Sequence, residues 1–207
     1  MAGGNASQNY RSTDYERADK DWYAEPHWCV EALADALHIV PGSYVWDPCC
    51  GGGTIPEVFA KRIGRGNVCA TDIVDRGFGQ FDEAFDFLSF GVPICVPVNG
   101  RINIVMNPPF RQAEAFVRKA LMVADYSVAI VQQLSFLASK GRHTLFSEHP
   151  PEQVLVMSRR PSMPPGHLVT EMGDKAFKGG TSDFCWIIWN KSYRGETRMR
   201  WLNPEAA

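Results

Sequence analysis

Val45-Trp46-Asp47-Pro48-Cys49-Cys50-Gly51-Gly52-Gly53-Thr54 decides how the rest of this chain is read. The apolar run from Tyr44 to Trp46 has the character of a buried strand, and it stops at an acid and a proline. Three glycines then permit a tight turn and a close approach of backbone to a bound molecule. A helix is expected next. Thr54 and Glu57 have the spacing of a capping box, and Pro56 falls in the first turn, where its missing N–H costs little. Strand, glycine loop and helix in this order are how doubly wound α/β domains hold a nucleotide-like ligand at the carboxyl ends of their strands.

The loop excludes some ligands. No Gly-Lys-Ser/Thr follows, so it is not a phosphate cradle of the P-loop kind. Gly51 and Gly53 fit a dinucleotide fingerprint, but position 56 is Pro56 where a third glycine belongs. Asp47 repels an anion and welcomes a cation, such as the ammonium and sulfonium of S-adenosylmethionine. From the loop alone, a tight turn with no ligand stays open.

A second motif lies further along. Ile102-Asn103-Ile104-Val105-Met106 reads as another buried strand, closed by Asn107-Pro108-Pro109-Phe110. Asp47 to Gly53 and Asn107 to Phe110 together resemble the class I S-adenosylmethionine-dependent methyltransferases. The Asn-Pro-Pro-aromatic end resembles their amino-methyltransferase branch, which includes the adenine-N6 DNA enzymes. The lead-in Trp22-Tyr23-Ala24-Glu25-Pro26-His27-Trp28 is similar to the segment that precedes the cofactor loop in the gamma arrangement of that family. Glu25 stands where threonine is usual. A hydrophobic staple at a helix start is the competing reading of this segment.

The resemblance implies an α/β, doubly wound Rossmann-like methyltransferase fold, with a mostly parallel seven-stranded sheet and an antiparallel last strand. It implies S-adenosylmethionine as cofactor, held by Tyr23, Pro26, Asp47, Pro48, Cys49, Gly51, Gly53, Thr54, Asp72, Ile73, Asp86 and Phe87. Asp72 ends the strand expected over Asn67 to Thr71, about twenty residues beyond the glycine loop, where an acid accepts from ribose hydroxyls. Ile73 packs on adenine in this scheme. Asp86-Phe87-Leu88 resembles the family's third cofactor motif, with Asp82 as a stand-in for Asp86 and a loop-anchoring aromatic cluster as the alternative. The catalytic set is Asn107, Pro108, Pro109 and Phe110, with an amide carbonyl and a proline carbonyl to accept from an amine and a ring to stack on a base.

The 207 residues suffice for one α/β domain. We expect a tail over residues 1–20, the methyltransferase domain over 21–190 and a surface tail over 191–207 with Trp201 as an anchor. No long apolar run or signal peptide is visible, so a cytoplasmic protein without membrane contact is expected. The six cysteines lack Cys-x-x-Cys pairing and read as reduced core residues, with no metal. Net charge is −2, but residues 1–90 hold 7 Lys/Arg against 14 Asp/Glu, and residues 91–207 hold 14 against 9. Such asymmetry fits one side that meets a polyanion, or an ordinary solvated surface.

Further helices are expected over Arg111 to Val123 and Ser135 to Phe146, and strands over Ser127 to Leu134, Gln153 to Ser158 and Asp183 to Trp189. Arg159 to Thr181 reads as one long loop, which in a compact domain is functional or mobile. Within it, Arg159, Arg160, Lys175, Phe177 and Lys178 are the expected nucleic-acid contacts. The leading expectation is adenine-N6 methylation of DNA, with nucleic acid as partner and a monomer or homodimer as the assembly. RNA adenine, a protein glutamine amide, and a non-catalytic binding module remain alternatives. The family's usual separate target-recognition domain has no counterpart in the 207 residues.

Overall fold

The computed structural model describes residues 19–89, 91–97 and 100–203. The tail expected over residues 1–20 falls outside these up to residue 18. In chain order come helix α1 (His27–Ala36), strand β1 (Ser43–Asp47), helix α2 (Thr54–Ile63) and strands β2 (Val68–Asp72), β3 (Glu83–Ala84) and β4 (Arg101–Met106). Helix α3 (Ala113–Val123), strand β5 (Ser127–Gln133), helix α4 (His143–Glu148), strand β6 (Gln153–Met157), helix α5 (Gly166–Met172), strand β7 (Phe184–Asn190) and strand β8 (Arg198–Leu202) complete the series.

The eight strands form one sheet in the order β3-β2-β1-β4-β5-β7-β6-β8. Only β7 runs antiparallel to its neighbours β5 and β6. The expected fold class is therefore present, with one strand more than the seven foreseen. β3 and β8 both lie where no strand was expected, β8 in a stretch read as a surface tail. β8 pairs with β6 from Gln153 opposite Arg198 to Met157 opposite Leu202. Trp201 is 66% exposed on it, so the ladder and not the ring holds the segment.

Strand alternation sorts the core onto the two faces of the sheet. Trp46, Ile104, Met106, Val128 and Ile130 face α3, where Phe116, Val117 and Ala120 meet them. Val45, Val105, Ala129, Val131 and Trp186 face α1 and α2. Trp46 and Trp186 are both 0% exposed, and each finds a partner for its indole N–H, Thr71 Oγ1 and the Cys29 carbonyl, both at 2.9 Å. Burying such a side chain stabilises the fold by about 2–3 kcal/mol, and the satisfied N–H keeps that gain.

Three local readings need correction. The helix after the glycine loop covers Thr54–Ile63, but its N-cap is Gly53 and no side chain caps it, so there is no Thr54–Glu57 box. The loop enters the helix through Gly53 at φ 94°, and the extended cap geometry that a threonine needs is absent. The helix expected over Ser135 to Phe146 is broken into two short 3-10 turns and the short α4. The segment from Arg159 to Thr181 is not loop throughout, since it contains α5 and a 3-10 turn at Gly173–Ala176.

Cysteine chemistry differs too. Cys69 of β2 and Cys95 are joined as a disulfide with Cα atoms 5.5 Å apart, so these two are not reduced. Their 26-residue separation carries no pairing signal in sequence. Asp82 lies beside the pair, where it accepts from the Ala70 N–H at 2.7 Å and meets Arg65 at 2.8 Å. Among the described residues, no helix is long and apolar enough to cross a membrane.

Candidate active site

Strand order reverses between β1 and β4, and the carboxyl ends of β1, β2 and β4 open there into a cleft of about 970 Å³. This is where open α/β sheets bind their ligands. The floor is the glycine loop. Asp47 ends β1 at 1% exposure and accepts from the Cys49 N–H at 3.1 Å, which turns the chain over its own carboxylate. Gly51 takes φ 50°, and a Cβ there would fall 2.4 Å from the Trp22 indole nitrogen. Only glycine allows both the left-handed backbone and that approach.

Asp72 ties this loop to β2. Its Oδ2 accepts from the Gly51 N–H at 3.0 Å and its Oδ1 from the Val74 N–H at 3.1 Å. The Cys50 N–H donates to the Thr71 carbonyl at 2.9 Å. The neighbouring Ile73 is 53% exposed on the cleft wall. Asp86 is exposed on the same wall and holds its own turn by accepting from the Leu88 N–H at 3.0 Å. Phe87 reaches the cleft but is 2% exposed, packed against Trp46 and Phe116 with ring centroids 5.2 Å away in each case.

Asn107 stands at the end of β4, half-buried, with its amide turned by the lead-in segment. Nδ2 donates to the Tyr23 carbonyl and to Glu25 Oε2, both at 2.8 Å. The opposite amide orientation would set Oδ1 against two acceptors, so the bonds fix which end is which. Among the described residues nothing donates to Oδ1, which leaves it to accept from a ligand. Pro108 is buried, Pro109 lines the cleft, and the Pro109 carbonyl accepts from the Gln112 N–H at 2.9 Å to start α3. Phe110 lies behind the wall with Tyr23 at 5.5 Å and Phe184 at 6.4 Å, and of these three rings Tyr23 lines the cleft.

The lead-in segment is a strap. The Ala24 N–H donates to the Pro164 carbonyl at 2.9 Å and the Gly166 N–H to the Trp22 carbonyl at 3.0 Å. The Trp22 ring fits between Gly51 and Gly166, with the Arg76 guanidinium 4.7 Å from its centroid. Pro26 is the N-cap of α1 and is buried.

Burial dominates the electrostatics. It pushes the Glu25 carboxyl up to about 7, against the opposing pull of the Asn107 N–H. Asp47 is also raised well above the usual carboxylate range, by burial first and by the Glu25 charge second. Burial lifts the Cys49 thiol as well, with Asp47 and Asp72 adding to it, so this cysteine is no thiolate nucleophile.

Of the residues singled out in sequence, Tyr23, Pro48, Cys49, Gly51, Thr54, Asp72, Ile73, Asp86, Phe87, Asn107 and Pro109 line one cleft. Asp47, Gly53, Pro26, Pro108 and Phe110 stand behind it as supports. Arg159, Arg160, Lys175, Phe177 and Lys178 are not among the lining residues. Arg159 stacks 5.0 Å from the Trp28 ring and Arg160 pairs with Asp183 at 2.7 Å, while Lys175 and Lys178 are exposed. Sequence reasoning missed Trp22, Glu25, Arg76 and Arg111 as cleft residues. The one available signal was Glu25 itself, an acid in place of the usual threonine.

The residues present fit S-adenosylmethionine. Glu25 and Asp72 on the lining and Asp47 beneath it suit a cation with ribose hydroxyls, while Gly51 and Gly53 make room for the Trp22 and Phe78 rings.

No protein-family model matches the chain, and a search of curated proteins returns no match. Solved structures do match. A type I restriction-modification system methyltransferase subunit from Streptococcus thermophilus gives a TM-score of 0.59 at 14% identity, covering 83% of this chain and 45% of that one. The type I restriction enzyme EcoKI M protein gives 0.59 at 11%, covering 84% and 45%. A predicted O-methyltransferase from Agrobacterium tumefaciens gives 0.52 at 12%, covering 85% of each chain. The chain thus spans 45% of the length of the two restriction-system proteins. Identities this low speak for the fold. The chain has the Rossmann-like fold of methyltransferases.

Proposed function

We propose that this chain transfers the methyl group of S-adenosylmethionine to the exocyclic N6 amine of adenine in DNA, within a domain of residues 21–190 to whose sheet β8 adds an edge strand. The observation that carries this reading is the Asn107 amide. Both of its N–H bonds go to the lead-in segment, and its carbonyl is left for an amine donor at the rim of the cleft.

The cofactor supplies an activated methyl on a sulfonium. Glu25, Asp47 and Asp72 favour its cationic and hydroxyl groups, the backbone from Pro48 to Thr54 gives it a close floor, and Ile73 and Leu88 offer apolar cover for its base. An adenine amine is a poor nucleophile because its lone pair is delocalised into the ring. Accepting its two N–H bonds favours the pyramidal nitrogen of the transition state over the flat ground state. Asn107 Oδ1 accepts one, and the Pro108 carbonyl, with φ fixed by the ring, accepts the other. Tyr23, backed by Phe110, provides the stacking face. The amine proton turns acidic as the methyl arrives and leaves to water, so alignment is the main service of the site.

A base inside a duplex must be flipped out to reach such a cleft. In this reading Lys175 and Lys178 meet phosphates and Phe177 stacks, while Arg159 and Arg160 hold the segment through Trp28 and Asp183.

The test is transfer of labelled methyl to duplex DNA, single-stranded DNA, RNA and bulk protein, with nucleoside mass analysis. Methyladenine in DNA, lost in Asn107→Ala, is the expected outcome. Label in RNA or protein moves the acceptor, and cofactor binding without transfer overturns the reading.

A further inference from the structure

Glu25 precedes α1 and is 6% exposed. It shares the Asn107 amide with the Tyr23 carbonyl, so both donors of that amide end on one short stretch of chain. Rotating the amide by half a turn would bring oxygen against oxygen at both places, a loss that a threonine hydroxyl would not impose because it can donate as well as accept. We propose that Glu25 is a positioning residue for methyl transfer, locking the Asn107 amide so that Oδ1 stays available to the acceptor amine. The inference rests on the proposed function.

The lock depends on ionisation. An ionised carboxylate only accepts. A protonated one carries an O–H that can donate to Oδ1 of a flipped amide and so tolerates the wrong orientation. The titratable groups facing Glu25 include Cys29 from α1, Asp47 at the end of β1 and Cys49 from the loop that follows. None of them is a cation, and burial pushes Glu25 up to about 7. The lock is therefore complete above that pH and rests on the Tyr23 carbonyl alone below it. A cationic cofactor beside these acids favours their ionised forms, so loading the cleft strengthens the lock.

The experiment follows the Asn107 side-chain amide by proton–nitrogen NMR from pH 5.5 to 9, its signal assigned by its loss in Asn107→Asp. Methyl transfer is measured in parallel for the wild type, Glu25→Ala and Glu25→Gln. A glutamine does not titrate and, like the protonated acid, both accepts and donates. The amide signal is expected to titrate with a midpoint near 7 in the wild type and to stay flat in Glu25→Gln. Glu25→Ala is expected to lower kcat about 10–100-fold at pH 8, with cofactor KM within about threefold, and Glu25→Gln to hold kcat at the wild type's low-pH level across the range, about 3–10-fold below the wild type at pH 8. A wild-type signal that does not titrate overturns the proposal, and so does Glu25→Gln or Glu25→Ala within twofold of wild type at pH 8. If Glu25→Ala does not fold, the wild-type titration and Glu25→Gln decide alone. A titrating Asn107 in a chain that methylates nothing overturns the proposed function and leaves the lock standing.

Discussion

The carboxyl ends of β1, β2 and β4 and the segment from Arg159 to Thr181 carry opposite charges and use them in opposite ways. At the strand ends, Glu25 and Asp47 are buried and accept from neutral N–H groups, the Asn107 amide and the Cys49 backbone. Neutral donors orient these carboxyls without supplying a countercharge, and burial holds both above the usual carboxylate range. In the basic segment, Arg160 meets Asp183 at 2.7 Å and Arg159 lies on the Trp28 ring. Those guanidiniums are answered by their own chain. Charge counted along a sequence says how many ionic groups there are. Whether they are offered to a ligand depends on what each one touches.

The largest test of that contrast is Asn107→Ala. It is expected to lower kcat about 10²–10³-fold while cofactor affinity, read by calorimetry, stays within about threefold. The next concerns stability. The unfolded chain ionises Glu25 from about 4.5 upward, but the folded chain keeps the proton up to about 7. Between those values the folded state binds more protons, so its stability falls as pH rises, by ~3 kcal/mol in all. Thermal unfolding without cofactor is expected to show this fall from pH 5 to 8 in the wild type and a smaller one in Glu25→Gln. Asp72→Ala removes the acceptor of the Gly51 N–H. We expect cofactor affinity to weaken about 10–100-fold, since bonds to a charged group contribute about 1.5–3 kcal/mol. The smallest effects belong to the basic segment. Lys175→Ala with Lys178→Ala is expected to reduce the salt slope of DNA binding by about one per lysine. Arg160→Ala is expected to change stability by at most about 0.5 kcal/mol, because its ion pair is exposed. A larger loss of DNA affinity from Arg160→Ala than from the two lysines would reverse the contrast.

The strand-end site was legible because its signals are local. Asp47, Gly51 and Gly53 constrain one turn, and Asp72 and Asn107 each end a strand whose apolar run is visible in the sequence. What was hidden depends on distant pairing. β8 has the composition of a surface segment, with Arg198, Arg200 and Trp201 exposed, and it is a strand because β6 offers an edge. The Cys69–Cys95 link and the Trp22 strap join residues that no periodicity relates. Glu25 was noticed as out of pattern, but its partner Asn107 lies 82 residues away. The Thr54–Glu57 spacing pointed to a cap that the glycine turn does not form.

Trp22 sits with a glycine on either side, Gly51 in the loop after β1 and Gly166 at the start of α5. The glycine loop is complete early in synthesis, yet the strap that covers it gains its second anchor only when Gly166 has been made. Until then the chain has a nucleotide-type turn without its cover. Assembly of the site is thus gated by a contact of high sequence separation, and such contacts form late in folding. The part of the cleft wall that Trp22 forms is therefore complete only when both glycine segments have been made.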